Sequence, residues 1–347
     1  MNRTARTPLP AATYKSFAEE FQVDETLGFE PEGSGDHLWL QVRKTGQNTA
    51  WVARSLAQRA ECNQRDVGYS GLKDRHARTT QWFSLPDSGN RLRWSEWEIP
   101  GVELLRGVRH TKKLRRGSHR GNGFRIRLHC EDAQAVAEGL TRVGAEGCAN
   151  LFGPQRFGVL GDNLKGARRW LRGQERAPKR TVRGIWYSAL RSAVFNRVAV
   201  RRLARAGHLR PCLGDLILLG NGRSQFLNDG SDATLEARLR HGEVKISGPL
   251  WGAGPPPTGG AVQAFESEVA REFDWLAATE ALDWTHDRRA LWVWPEALEV
   301  ETEAAAVWAS FWLPKGSFAT SVLSAAVRLR NGAAMNAGQV DTGPAVD

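Results

Sequence analysis

The most chemically suggestive residues of this chain lie together, in Gly71-Leu72-Lys73-Asp74-Arg75-His76-Ala77-Arg78-Thr79-Thr80-Gln81-Trp82-Phe83-Ser84. A single carboxylate, Asp74, stands among Lys73, Arg75 and His76. Neighbouring cations keep a carboxyl ionised, and an ionised carboxyl is available as a nucleophile or a base. The same short pattern also fits a solvated turn carrying a surface ion pair, so its meaning depends on what surrounds it. Apolar-alternating runs precede it (66–70) and follow it (80–85), which places Asp74 on a loop between two strands. Gly71 is expected to make the reversal by entering the φ > 0 region.

A second cluster is basic. Arg106, Arg109, Lys112, Lys113, Arg115, Arg116 and Arg120 are interleaved with glycines and lead into Asn122-Gly123-Phe124-Arg125-Ile126-Arg127-Leu128. In that run Phe124, Ile126 and Leu128 share one side of a strand. Cations that track a backbone beside an aromatic ring meet the needs of a phosphate-and-base site. A core position for Phe124 is the competing reading.

The charge balance points the same way. Lys and Arg exceed Asp and Glu by 48 to 38, and the pI is about 9.9. Only nine of the 48 are lysine, leaving 39 arginines. The guanidinium fork matches phosphate and stacks on bases, so a nucleic-acid partner is expected, although genomic base composition also produces arginine bias. The four cysteines are scattered without a C-x-x-C pair, against zinc and against a disulfide framework. No dinucleotide, P-loop or metal signature is present, so no cofactor is expected. No apolar run approaches the ~20 residues of a membrane span. The polar start lacks a secretory h-region, making the cytoplasm the expected compartment.

A chain of 347 residues exceeds what one core holds, so two domains are expected. Met1–Thr13 is expected to lack structure. The alternating runs 20–27 and 37–44 read as a hairpin, the second with Leu38, Leu40 and Val42 on one face. Helices are expected from Asn48 or Thr49 to about Glu61, over 131–147, from Asp162 to Leu171, and over 185–206. The last carries Arg197, Arg201 and Arg205 at i, i+4 and i+8, a stripe suited to phosphates or simply to water. Leu216–Leu219 and Gln225–Leu227 form a hairpin turning at Asn221-Gly222. Strands follow over 290–293, 298–301 and 307–313, with Trp292, Trp294, Trp308 and Trp312 expected in the core. A final helix runs from Gly316-Ser317 through Leu329, and a tail from Gly332.

Taken in order, several patches resemble the TruD-type tRNA pseudouridine synthases. They are Glu20-Phe21 with Leu27-Gly28-Phe29-Glu30, the 71–77 segment with Gln81-Trp82, Gly121-Asn122-Gly123-Phe124, Phe152-Gly153-x-Gln155-Arg156-Phe157-Gly158, Ser188-Ala189 with Phe195-Asn196, and Phe311-Trp312-Leu313-Pro314-x-Gly316-Ser317-Phe318-Ala319-Thr320-Ser321. The resemblance implies an α+β fold: a discontinuous catalytic domain (1–149 and 293–330) with a mixed, mainly antiparallel sheet, and an inserted α/β domain (150–292). Residues 331–347 would form a flexible tail. It implies RNA binding in the cleft between the domains and conversion of a uridine to pseudouridine, at position 13 of glutamate tRNA. It also implies Asp74 as the catalytic aspartate and Phe124 as the ring that stacks on the target base, with Lys15, Phe21 and Asn122 around the pocket. The partner implied is tRNA, with no membrane and no obligatory protein partner. Two other readings compete. An RNA-binding module without catalysis would have no use for a carboxylate amid cations. A metal-dependent nuclease would need more clustered ligands than Asp74 and His76.

Overall fold

The computed structural model describes residues 8–206, 210–220, 224–280, 282 and 284–333. These divide into two compact units: residues up to Glu146 with Trp294–Ala319 and those from Leu323 onward, and Gly147–Val293 with Thr320–Val322. The first unit contains β1 (Ala11–Tyr14), β2 (Phe21–Leu27), β3 (His37–Lys44), α1 (Thr49–Arg59), β4 (Gly68–Tyr69), β5 (Arg78–Pro86), β6 (Val102–His110), β7 (His119–His129) and α2 (Ala133–Glu146). The second contains β8 (Cys148–Ala149), α3 (Asp162–Leu171), α4 (Arg180–Ala206), β9 (Leu216–Leu219), β10 (Gln225–Leu227), α5 (Leu235–Arg240), β11 (Val244–Leu250), α6 (Gly260–Arg271), α7 (Leu276–Glu280), β12 (Asp287–Ala290) and β13 (Trp292–Val293). The chain then supplies β14 (Glu296–Glu303), β15 (Ala306–Pro314), α8 (Ala319–Ala326) and β16 (Arg328–Asn331).

The first unit is built on one mixed sheet in the order β14-β15-β7-β2-β5-β3-β6, with β1, β4 and β16 attached. Two of its pairings, β2 with β5 and β1 with β16, are parallel and the rest antiparallel. The fold is therefore α+β with a mixed, mainly antiparallel sheet. β5 lies in the middle because residues 79–85 are buried on both faces, and such a strand needs a neighbour on each edge. It separates β2 from β3, so the hairpin expected from 20–27 and 37–44 does not form; each pairs with β5 instead. Leu38, Leu40 and Val42 pack with Val52, Leu56, Phe83 and Leu85 in the core beneath α1. Asn48 caps α1 by accepting from the Trp51 amide at 2.8 Å.

Both ends of this unit correct the sequence expectation. Ala11–Tyr14 is ordered as β1, because β7 and β16 offer it hydrogen-bonding edges on either side. The last helix stops at Ala326, and Arg328–Asn331 leaves it to pair with β1. Residues 1–7 and most of the expected tail lie outside the described residues. Three of the seven cations of the basic run lie in strands: Arg106 and Arg109 belong to β6 and Arg120 to β7, and Arg109 is paired with Asp87. Trp308 and Trp312 are not core residues. β15 buries the alternate set Val307, Ala309, Phe311 and Leu313, which turns both indoles to the other face of the sheet. There Arg125 lies 4.9 Å from the Trp308 ring and Arg120 5.2 Å from that of Trp312. Trp292 and Trp294 are likewise only half-buried.

In the second unit the antiparallel order is β10-β9-β11-β12, and helices α3, α4 and α6 share a core around Ala167, Trp186, Leu190, Val194 and Val269. The β9–β10 hairpin is present, with its expected turn at Asn221-Gly222 outside the described residues. The arginine stripe of α4 is exposed at Arg197 and Arg205, and its cations have partners within the unit. Arg197 and Arg201 pair with Glu272 at the end of α6, and Arg205 lies 4.7 Å from the Phe265 ring. Among the described residues no helix is long and apolar enough to cross a membrane.

Candidate active site

The residues singled out in the sequence converge on one face of the β2–β7 pair. Residues directly opposite in an antiparallel ladder share a face, and here the pairs are Phe21 with Ile126, Val23 with Phe124, and Glu25 with Asn122. The next strand, β15, sets Phe311 opposite Phe124 and Leu313 opposite Asn122. The loop between β4 and β5 brings Asp74 to this face, as expected of it. Gly71 contributes otherwise than expected: its φ is not positive, and a Cβ there would meet only ordinary contacts, 3.5 Å to His119. Hydrogen bonds shape the loop instead.

Those bonds fix the loop at several points. Gln81 Nε2 donates to the Gly71 carbonyl at 3.1 Å. Thr49 Oγ1, at the start of α1, accepts from the Lys73 amide at 2.9 Å and donates to Gln81 Oε1 at 2.9 Å. Lys44 Nζ, at the end of β3, donates to the Asp74 carbonyl at 2.7 Å. The Asp74 carboxylate then receives the His76 amide on Oδ1 at 2.9 Å and the Lys15 ammonium on Oδ2. Loop and carboxylate are thus held by groups from β3, α1, β5 and the residue that follows β1.

Lys15 is placed with corresponding care. It follows β1 with φ at 60°, a left-handed conformation costing a non-glycine residue on the order of 1–3 kcal/mol. Its ammonium lies 4.3 Å from the Phe21 ring centroid, within cation–π range, and is buried. Burial alone would raise the pKa of Asp74. The Lys15 charge and hydrogen bond, helped by the His76 amide, more than offset this and hold the carboxyl below its ordinary value. Asp74 is therefore an ionised carboxylate whose side chain keeps 29% of its surface open.

A buried charge network lies beside it. Lys73 Nζ donates to Asn122 Oδ1 and sits 3.3 Å from Glu25 Oε2, while Glu25 Oε1 accepts from the Trp82 amide at 3.2 Å. Burial pushes Glu25 up and Lys73 down, each opposed by the other's charge. His119 Nδ1 lies 2.6 Å from Ser70 Oγ; burial and the nearby Lys73 and Lys315 charges depress its pKa to about 4, so it is neutral at physiological pH. Phe124 is half-buried and stacked on Phe311, with centroids 5.5 Å apart and planes 28° from parallel.

Of the five residues singled out from the sequence, Lys15 is in contact with both Asp74 and Phe21. Asn122 joins them through Lys73, and Phe124 shares the face between Val23 and Phe311. Lys44 and Thr49 were not singled out. Lys44 had a signal: it continues the inward phase of Leu38, Leu40 and Val42, where an uncompensated charge does not belong. A part-open ionised carboxylate can act as a nucleophile or as a base.

Comparison with known proteins bears on the family of the chain. The family model described as tRNA pseudouridine synthase D (TruD) matches residues 4–175 and 162–325. The chain is 38% identical over 334 residues to "tRNA pseudouridine synthase D" of Nitrosococcus oceani, covering 92% of each chain. It is 39% identical over 319 residues to the protein of that name from Aeromonas hydrophila, covering 91% of this chain and 90% of the relative. A crystal structure of the putative TruD of Methanosarcina mazei superposes with a TM-score of 0.74 at 19% identity, covering 94% of this chain and 96% of that one. The chain belongs to the TruD family of tRNA pseudouridine synthases.

Proposed function

We propose that this chain isomerises a uridine of tRNA to pseudouridine, that its target is uridine 13 of glutamate tRNA, and that Asp74 carries the chemistry. The observation that supports Asp74 most is its setting: a carboxylate kept ionised by Lys15 and the His76 amide, on a loop bonded at Gly71, Lys73 and Asp74 itself. The target position rests on the family resemblance.

The reaction breaks the N1–C1′ bond, turns the uracil and joins C5 to C1′. An Asp74 oxygen either bonds to C1′ as N1 departs with the electron pair, or takes the 2′ proton while N1 departs with its pair, leaving a C1′=C2′ glycal. In both routes C5 of the turned base then bonds C1′. In the first the ester oxygen leaves with its pair; in the second the proton returns to C2′. Loss of the C5 proton and reprotonation at N1 complete an isomerisation that consumes no donor. Phe124 supplies a ring face for the base, and Phe21, Asn122 and Lys15 line its surroundings. Taking the base out of its stack costs a few kcal/mol. Stacking on one aromatic returns about 1–3 kcal/mol.

Asp74→Asn preserves shape and removes the charge. Pseudouridine formation on glutamate tRNA is expected to vanish while tRNA binding persists; wild-type-like turnover by Asp74→Asn would overturn the assignment. Mapping pseudouridine in tRNA from cells lacking the gene tests the target, since position 13 should become uridine.

A further inference from the structure

Lys44 is among the most buried charged residues of the chain, 1% exposed, and it stands at a junction. It ends β3, and its Nζ donates to the Gln47 carbonyl at 2.8 Å and the Asp74 carbonyl at 2.7 Å. One ammonium therefore ties together the end of β3, the entry to α1 and the loop carrying the carboxylate. Two neutral carbonyls are weak compensation for removing an ammonium from water. An apolar side chain of similar length would fill the space at lower cost. Such a group is retained where its bond does something that stability does not require.

We propose that Lys44 is the positioning residue for Asp74: by gripping the Asp74 carbonyl it fixes the direction in which the carboxylate meets C1′ or the 2′ proton, without touching substrate. This rests on the reading of Asp74 given above. The Asp74 side chain is held from outside the loop by Lys15 and its backbone from inside by Lys44, so peptide and carboxylate are fixed independently. The charged groups facing Lys44 are Asp74 and Lys73, both on the loop, with Lys15 beyond the Asp74 carboxylate. On the flanking strands its opposite residues, Thr79 and Val102, are uncharged, and Thr49 starts the helix it faces.

The geometry carries a pH consequence. Burial, reinforced by Lys73 and opposed by Asp74, brings Lys44 down to about 8. Above that value the group loses its charge and becomes a poorer donor to the Asp74 carbonyl, so turnover should fall. Stability moves the other way. From about 8 up to the ordinary value of 10.5 the unfolded chain binds more protons than the folded one, so Lys44's contribution to stability improves as pH rises. A purely structural bond would not make activity and stability diverge.

The experiment compares full-length wild type, Lys44→Arg and Lys44→Met on tRNA in single turnover from pH 6.5 to 9.5, with thermal midpoints measured alongside. Wild type should lose turnover above pH about 8 while gaining stability relative to Lys44→Arg, whose alkaline limb should disappear because arginine stays charged. Lys44→Met should bind tRNA normally and turn over about 10²-fold slower, the cost of a small misplacement of a reacting group. If Lys44→Met does not fold, the pair of limbs decides. Identical limbs in wild type and Lys44→Arg, or a folded Lys44→Met within twofold of wild type, would overturn the proposal. An active Asp74→Asn would instead overturn the reading beneath it.

Discussion

The pair formed by Glu25 and Lys73 gives a quantitative handle on the site. The Glu25 side chain is fully buried, that of Lys73 is 7% exposed, and the charges are 3.3 Å apart. At an effective dielectric near 20 their attraction is about 5 kcal/mol, a gross figure before desolvation. Desolvating both ions consumes most of it, so the intact pair adds little net stability. Removing one charge is different. Glu25→Gln can still accept from the Trp82 amide but leaves Lys73 buried without its paired anion, with only the more weakly acting Asp24 in its place, at a cost of up to about 3–5 kcal/mol. The double variant Glu25→Gln/Lys73→Met removes both charges and should recover more than half of that loss. Burial pushes each group toward its neutral form, so the opposite outcome has physical content. If Glu25 were protonated, Gln would be nearly isosteric and cost under about 1 kcal/mol. Native-state hydrogen exchange at the Trp82 amide and its β5 neighbours reads this sheet without the second unit. A Glu25→Gln loss below about 1 kcal/mol, or a double variant no more stable than the single one, would refute the charged-pair account.

Three further outcomes follow from the same geometry. Phe124→Tyr should keep most single-turnover activity, and Phe124→Leu, which loses the flat face, should turn over more slowly with little change in thermal midpoint; an active, stable Leu variant beside an unstable Tyr variant would make Phe124 a core residue. His119 titrates near 4 when folded and near 6.5 when unfolded, so only the unfolded chain takes up its proton between those values and stability drops as pH falls through that window. His119→Gln should flatten the midpoint-against-pH curve there, and an unchanged slope would remove His119 from the account. Arg115 lies exposed between β6 and β7, whereas Arg201 is paired with Glu272. Arg115→Ala should therefore lower the salt slope of tRNA affinity by about one while Arg201→Ala leaves it unchanged, and the reverse pattern would move the RNA footprint to α4.

What was legible in the sequence and what was not separate along a physical line. Period-2 alternation disclosed β2, β3 and β7 with the faces they bury, and β15 as a strand, because burial of one face writes itself into the order of residues. Alternation says nothing of which strand lies beside which. The parallel insertion of β5 between β2 and β3 depends on contacts distant in sequence, and a hairpin was the natural but mistaken reading. Trp308 and Trp312 failed for a related reason: tryptophan is usually buried, but Val307, Ala309, Phe311 and Leu313 had already claimed the inward phase. The α4 arginines could not be assigned without Glu272, seventy-one residues beyond Arg201.

The site itself shows a subtler form of legibility. Glu25 continues the inward phase of Phe21 and Val23, and Lys44 that of Leu38, Leu40 and Val42, so each places a charge where its strand otherwise buries carbon. Taken strand by strand these look like errors of patterning, costly to any fold that has no use for them. In the structure they are neighbours of one loop: Glu25 anchors Lys73, and Lys44 grips the carbonyl of Asp74. Lys15 adds a third departure, a left-handed backbone at a residue with a β-carbon. Three separate violations of local rule meeting around one carboxylate are hard to attribute to chance. The stability given up in burying them goes into holding a charged group in place while leaving part of it open, and that combination is what the role proposed for Asp74 requires.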